Sequence, residues 1–324
     1  MLIQIAVLII GFVALAWSAD RFVDGAAGTA TRLGLSPLII GLVVVGFGTS
    51  APEMLVSALA ALDGNPGLAI GNALGSNTTN IALILGATAL LYPIVINTSV
   101  IKREMPILFL AMAVALLFMW NGLLSRIEGA AMLAALIVLV GYLFWAARRD
   151  AARSGSEDPI VAQYAEELPA DMPLRTALLW LFVGLAGLLL SSRALVWAAV
   201  ELATAFGISD LIIGLTIVAL GTSLPELAAS IASARKGEHD LIVGNVIGSN
   251  IFNTLGVMGI AALLEPTGVA AEVLVRDFPI MVGVTIGLVV LGHLLGRRAH
   301  LGRFSGATLL ATYVAYQTLL YFSA

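Results

Sequence analysis

The sequence contains no cysteine in 324 residues. Disulfides, thiolate zinc sites and thiol catalysis are thereby excluded. Charge is scarce: 11% of residues are Asp, Glu, Lys or Arg, where a soluble domain carries about 25%. Nor is one sign in excess enough to matter, with 16 Lys+Arg against 20 Asp+Glu. Nothing is left over to neutralise a phosphate backbone, so nucleic acid is excluded as a partner. The apolar–polar alternation of a membrane β-barrel is missing too, because the apolar runs are continuous. What is abundant is apolar residue: 60% of the chain, with a mean hydropathy of +1.03. The composition is that of an all-α polytopic membrane protein whose first partner is the lipid bilayer.

A helix needs about 20 apolar residues to cross the hydrocarbon. The pattern predicts ten spans, at 2–25, 37–62, 67–91, 105–121, 126–146, 175–204, 210–233, 241–263, 277–296 and 304–322. The first has no basic residue before its apolar core and no small-residue cleavage site, which predicts an uncleaved helix. One long polar segment, 148–173, holds Arg148, Arg149, Asp150, Arg153, Glu157, Asp158, Glu166, Glu167 and Asp171. It divides the chain into a first unit at 1–147 and a second at 174–324, each with five spans. With the N-terminus outside, the inside loops hold Arg32, Lys102, Arg103, Arg148, Arg149, Arg153, Arg175, Arg235, Lys236, Arg297, Arg298 and Arg303, and the outside loops only Arg126 and Arg276. The positive-inside rule then predicts both termini on the periplasmic side and the 148–173 connector in the cytoplasm.

The two units repeat one another. Residues 37–54, PLIIGLVVVGFGTSAPEM, match 210–227, DLIIGLTIVALGTSLPEL, at eleven of eighteen positions with an offset of 173. At the same offset GNALGSNTTN (71–80) matches GNVIGSNIFN (244–253) at six of ten. Gly34/Gly207, Arg103/Arg276 and Pro106/Pro279 keep the offset as well. Five spans is an odd number, so the second copy enters the membrane from the opposite side. Inverted repeats of this kind belong to secondary transporters, with the site near the midplane between them.

The repeated motifs are polar where the spans should be apolar. Pro52 and Pro225 each remove an i→i−4 hydrogen bond, which frees the carbonyls near Gly48 and Gly221. Lipid cannot satisfy such groups, so they face protein, water or an ion. A carboxylate at the bilayer centre costs about 2.5–3.5 kcal/mol on insertion scales. Glu53 and Glu226, at matched positions, therefore indicate a shared function. Around them the motifs supply only oxygen: the hydroxyls of Thr49, Ser50, Thr222, Ser223, Ser76 and Ser249, the amides of Asn80 and Asn253, and the freed carbonyls. Hard oxygen ligands suit Ca²⁺, Mg²⁺ or Na⁺. Ca²⁺ takes about 6–8 oxygens, and two carboxylates balance its charge. Ser50 lies three residues from Glu53 and Ser76 four from Asn80, so each pair shares a helix face. Asn72 and Asn245 fit packing or the site equally well. Asp20, Arg21 and Asp24, near the end of the first span, fit a gate, an ion path or a plain interfacial ion pair.

The paired GTSxPE and GN(A/V)(L/I)GSN motifs resemble the α-repeats of the cation/Ca²⁺ exchanger superfamily. Over nearly the whole chain the layout is most similar to the bacterial inner-membrane Na⁺/Ca²⁺ exchanger-related proteins. The resemblance implies ten helices, with spans 2, 3, 7 and 8 forming the site and one Ca²⁺ exchanged against several Na⁺. It implies that Glu53 and Glu226 are the shared carboxylate ligands. Thr49, Ser50, Ser76, Thr222, Ser223 and Ser249 would add oxygens, as would the backbone carbonyls near Gly46 and Ala219. Asn80 and Asn253 would line the centre, and spans 1 and 6 would slide across a rigid core. No cofactor and no obligatory protein partner is implied. One position departs: well-studied Na⁺/Ca²⁺ exchangers carry aspartate at one of the positions matched by Asn80 and Asn253, whereas H⁺/Ca²⁺ members have asparagine at both. The counter-ion is thus open between Na⁺ and H⁺. A cation channel with a glutamate ring is a different class, disfavoured by the proline-broken helices. An intramembrane enzyme is disfavoured by the lack of HExxH, GxSxG or a Ser–His pairing within the spans.

Overall fold

Long apolar runs punctuated by Gly and Pro fold here into long helices. The computed structural model describes residues 2–64, 66–97, 100–154, 172–206, 219–294 and 300–323. In chain order the helices are α1 (Leu2–Leu33), α2 (Ile40–Leu62), α3 (Pro66–Leu91), α4 (Met105–Met119), α5 (Arg126–Ser154), α6 (Leu174–Ala205), α7 (Leu224–Arg235), α8 (His239–Leu264), α9 (Phe278–Leu294) and α10 (Arg303–Ser323). Among the described residues, seven are long and apolar enough to cross a membrane: α1, α2, α3, α5, α6, α8 and α9 with its leading turn. The helix at 105–119 has only 15 residues. α7 is preceded by the short turn Ala219–Thr222, and the expected start of that span, 210–218, lies outside the described residues, as does 155–171 of the connector.

α1 and α6 are the longest helices, at 32 residues each. At 1.5 Å per residue that is about 48 Å, against about 30 Å of hydrocarbon. The first span outruns its expected end at 25 because Ala26, Ala27 and Ala30 are buried against neighbours. It stops at Gly34, whose φ of +64° suits a residue just past a helix end.

Hydropathy did not foresee the π-helical stretches. They occupy Ile40–Val45 in α2, Asn80–Leu85 in α3 and Phe252–Val257 in α8, and lead into α4 and α9 at Val100–Glu104 and Val273–Asp277. An i→i+5 turn carries an extra residue and re-aims the side chains that follow.

The centre of the molecule is made by α3 and α8. Of their most apolar windows 72% and 89% is buried, against 22% for α1 and α5. Around this centre the contacts run crosswise between the two halves. α1 lies along α6, α5 packs on α8, and α10 packs on α3. Glycines let backbones meet: Gly129 faces Gly259 where α5 crosses α8, and Gly306 faces Gly86 where α10 crosses α3. Where α1 crosses α6, Gly11 faces Leu195 and Gly184 faces Phe22. Four two-residue strands follow the same rule, β1 (Ile94–Val95), β2 (Leu123–Leu124), β3 (Thr267–Gly268) and β4 (His300–Leu301). β1 pairs antiparallel with β4, and β2 with β3. The outer helices turn large apolar side chains outward, among them Ile9, Phe12, Val13, Ile137, Val138, Phe182 and Leu190. A water-facing exterior would not tolerate so continuous an apolar surface.

Candidate functional site

α2 and α7 each carry one glutamate into the interior. Glu53 and Glu226 are both 1% exposed. In each carboxylate Oε2 has no hydrogen-bond partner, and neither residue forms a salt bridge among the described residues. The two lie near enough for their charges to act on one another. Two buried like charges need something positive between them, or protons upon them.

The prolines act differently in the two copies. α2 runs through Pro52 as one helix, whereas α7 starts only after Ser223, with Pro225 in its first turn. The carbonyl of Gly221, freed by Pro225, accepts a hydrogen bond of 2.7 Å from the Ser192 hydroxyl of α6. The expectation that this carbonyl faces protein, water or an ion is met by protein.

α3 and α8 complete the lining. A single Thr49 hydroxyl lies 3.1 Å from the Val45 carbonyl, 3.1 Å from Asn245 Oδ1 and 3.3 Å from Ser249 Oγ. It has one proton for two pure acceptors, the Val45 carbonyl and Asn245 Oδ1, while the Ser249 hydroxyl can itself donate to Thr49. The Ser249 hydroxyl also lies 3.4 Å from the Gly46 carbonyl. Here α2 and α8 nearly touch, and a Cβ on Gly46 would stand 2.9 Å from the Ser249 backbone nitrogen. Asn80 opens one π-helical stretch and Asn253 lies within another. Asn80 Nδ2 donates to Asn250 Oδ1 at 3.0 Å, while Asn253 Oδ1 is buried without a partner. Ser50 Oγ is likewise buried and unpartnered.

Of the residues singled out from sequence, Thr49, Ser50, Glu53, Ser76, Asn80, Ser223, Glu226, Ser249 and Asn253 are all buried on these four elements, and Thr222 is half-buried. Ala219 opens the short turn Ala219–Thr222. Sequence reasoning gave no role to Asn77, Asn250 or Thr254. Asn77 Nδ2 donates to Thr254 Oγ1 at 2.8 Å, Asn250 Nδ2 to the Asn77 carbonyl at 3.3 Å, and Thr254 Oγ1 to the Asn250 carbonyl at 2.7 Å. This lattice pins α3 to α8, and its signal was present in the matched pair Asn77/Asn250. No cluster of three or more His, Cys, Asp or Glu that could hold a metal exists among the described residues. The cluster holds two carboxylates among hydroxyls and amides rather than an acidic cage.

The model of one protein family, the sodium/calcium exchanger proteins, matches residues 3–145 and 176–322. The chain belongs to that family. This exchanger is 46% identical to CaxA of Alkalimonas amylolytica over 324 residues, the whole of both chains. It is 41% identical to the inner membrane protein YrbG of Escherichia coli K12 over 322 residues, 99% of this chain and 98% of the other. Its structure matches that of the sodium-calcium exchanger NCX_Mj soaked without Na⁺ or Ca²⁺, with a TM-score of 0.82 and 30% identity over 98% and 99% of the two chains. The fold is therefore the all-helical, polytopic membrane fold of NCX_Mj, and the family is one of exchangers rather than enzymes.

Proposed function

We propose that this exchanger moves Ca²⁺ against Na⁺ by alternating access at a midplane site built around Glu53 and Glu226. The observation that carries the reading is the pair of buried carboxylates, each with an unpartnered oxygen and no basic partner among the described residues. Two negative charges match one Ca²⁺ or two Na⁺. The remaining ligands are the oxygens of Thr49, Ser50, Ser76, Thr222, Ser223, Ser249, Asn80 and Asn253, with the carbonyls of Gly46 and Ala219.

The chain works as ten spans in two inverted repeats, 1–147 and 174–324, joined by the cytoplasmic connector 148–173, with both termini in the periplasm of a bacterial inner membrane. The reciprocal contacts support this. β1 and β4 fall in loops that this topology puts inside, and β2 and β3 in loops it puts outside. Gly11 facing Leu195 and Gly184 facing Phe22 is one contact written twice at the 173 offset. Ions are exchanged without a cofactor, and a single chain holds every group of the site.

Proton coupling at the same site is the second reading. Asn80 and Asn253 are both amides, so the site has two charges and two protons neutralise it as well as two Na⁺ do.

Replacing Glu53 or Glu226 by Gln tests the site under either coupling. Each substitution should weaken the Ca²⁺ dependence of ⁴⁵Ca²⁺ uptake by at least about thirtyfold, the ratio for the ~2 kcal/mol lost when a buried charge partner is removed. Uptake that survives both changes would remove the site from the mechanism.

A further inference from the structure

One hydrogen bond of the first repeat is not made at the matched place in the second. In the first, Asn72 Nδ2 donates to Ser57 Oγ at 3.1 Å, tying α3 to α2. The residues at the 173 offset are Asn245 and Ser230. There the bond is not made: Asn245 Nδ2 and Ser230 Oγ are both buried and both without a partner. Both line one cavity, together with Ser233, Phe22, Val23, Ala26, Val45, Ala229 and Leu241. Its volume of about 10 Å³ is room for one water among polar groups that lack partners.

This cavity lies on a polar stripe. Glu226, Ser230, Ser233 and Lys236 follow one another at steps of four, three and three, on one face of α7 and just past its end. Ten residues at 1.5 Å each cover about 15 Å, half the hydrocarbon thickness. The inner end touches the ion site directly, because Asn245 Oδ1 accepts from Thr49. At the outer end Lys236 Nζ lies 2.6 Å from Asp24 Oδ1 and 2.8 Å from the Asp20 carbonyl, and Arg235 lies 3.6 Å from Asp20. Asp24 sits on α1 between Val23 and Ala26, both in the cavity wall. The first repeat has no such clasp: Asp63 stands at the position of Lys236, and Arg193 and Trp197 at those of Asp20 and Asp24.

We propose that the Ser230–Ser233–Asn245 cavity is a hydration site on the path by which cations pass between the central carboxylates and the surface at the α7–α8 turn, and that the Lys236–Asp24 ion pair closes this path. A cation leaving the site trades Thr49 and Glu226 for water held by Asn245 and Ser230, then for Ser233. It emerges when α1 moves away from α7 and the clasp parts. The proposal rests on the exchange reading, but its test does not use transport.

The chain has no cysteine, so a single Ser233→Cys reports on the path alone. The purified full-length protein, in detergent, is treated with a charged methanethiosulfonate reagent, with and without Lys236→Ala. Labelling should be about fivefold faster without the lysine, the ratio for a clasp worth ~1 kcal/mol. The swapped pair Asp24→Lys with Lys236→Asp should restore the slow rate. Equal rates with and without Lys236 overturn the clasp. No labelling in either, from protein that labels fully once denatured, overturns the path. Ser230→Cys gives the same test if Ser233→Cys is not recovered folded. Labelling as expected in a chain that does not exchange Ca²⁺ for Na⁺ would leave the path standing and overturn the exchange reading instead.

Discussion

At the scale of the residue, the proposed site turns on Thr49, whose one hydroxyl is set among Val45, Asn245 and Ser249. Valine keeps its shape and removes its proton, leaving buried acceptors short of a donor. Thr49→Val should cost about 1–3 kcal/mol in Ca²⁺ interaction, read as a raised half-saturating Ca²⁺ concentration for uptake. Thr49→Ser should stay near the parent. A valine variant that matches the parent would show that Thr49 is packing only. The buried carboxylates, hydroxyls and amides that the structure gathers on α2, α3, α7 and α8 could be picked out from the chain because each sits in a motif written twice. Their individual partners could not. Ser57 and Ser230 hold the same place in the two copies, yet one is bonded to Asn72 and the other is free. Sequence identity at an offset predicts equivalent positions, and the conformation then breaks the equivalence.

At the scale of the element, periodicity and hydropathy located the helices well but not their irregularities. α3 and α8 begin and end close to the expected spans, since their glycine-, serine- and asparagine-rich faces are bounded by long apolar stretches. The π-helical turns at Ile40–Val45, Asn80–Leu85 and Phe252–Val257 were not legible. No local composition marks them. The α1–α6 contact is sensitive to a small substitution. A Cβ on Gly25 would collide with the Leu181 backbone, and one on Gly184 with that of Phe22. Gly25→Ala and Gly184→Ala should each destabilise by about 1–3 kcal/mol, seen as a lower thermal midpoint in detergent. An unchanged midpoint for both would mean that the two helices do not press together as described.

At the scale of the whole molecule, the contacts between the two halves are reciprocal. α5 belongs to the first half and packs on α8 of the second, while α10 of the second packs on α3 of the first. Each half thus braces the other's inner helices, and the long pair α1 and α6 lies outside that brace. In the proposed exchange, such a build would keep the oxygen-lined centre fixed while the outer pair moves. Neither the crosswise contacts of the two halves nor the strand pairings β1–β4 and β2–β3 could be read from the sequence, because both join segments far apart in the chain. Exchange also demands that Ca²⁺ does not move without a counter-ion, which separates this account from a channel of the same shape. The direct measurement is ⁴⁵Ca²⁺ uptake into proteoliposomes of the purified protein, under an outward Na⁺ gradient and, in parallel, under an outward H⁺ gradient. The account predicts uptake driven by Na⁺ and none without a gradient. Uptake driven by H⁺ alone would move the coupling to protons on Glu53 and Glu226, and uptake that needs neither gradient would contradict exchange altogether.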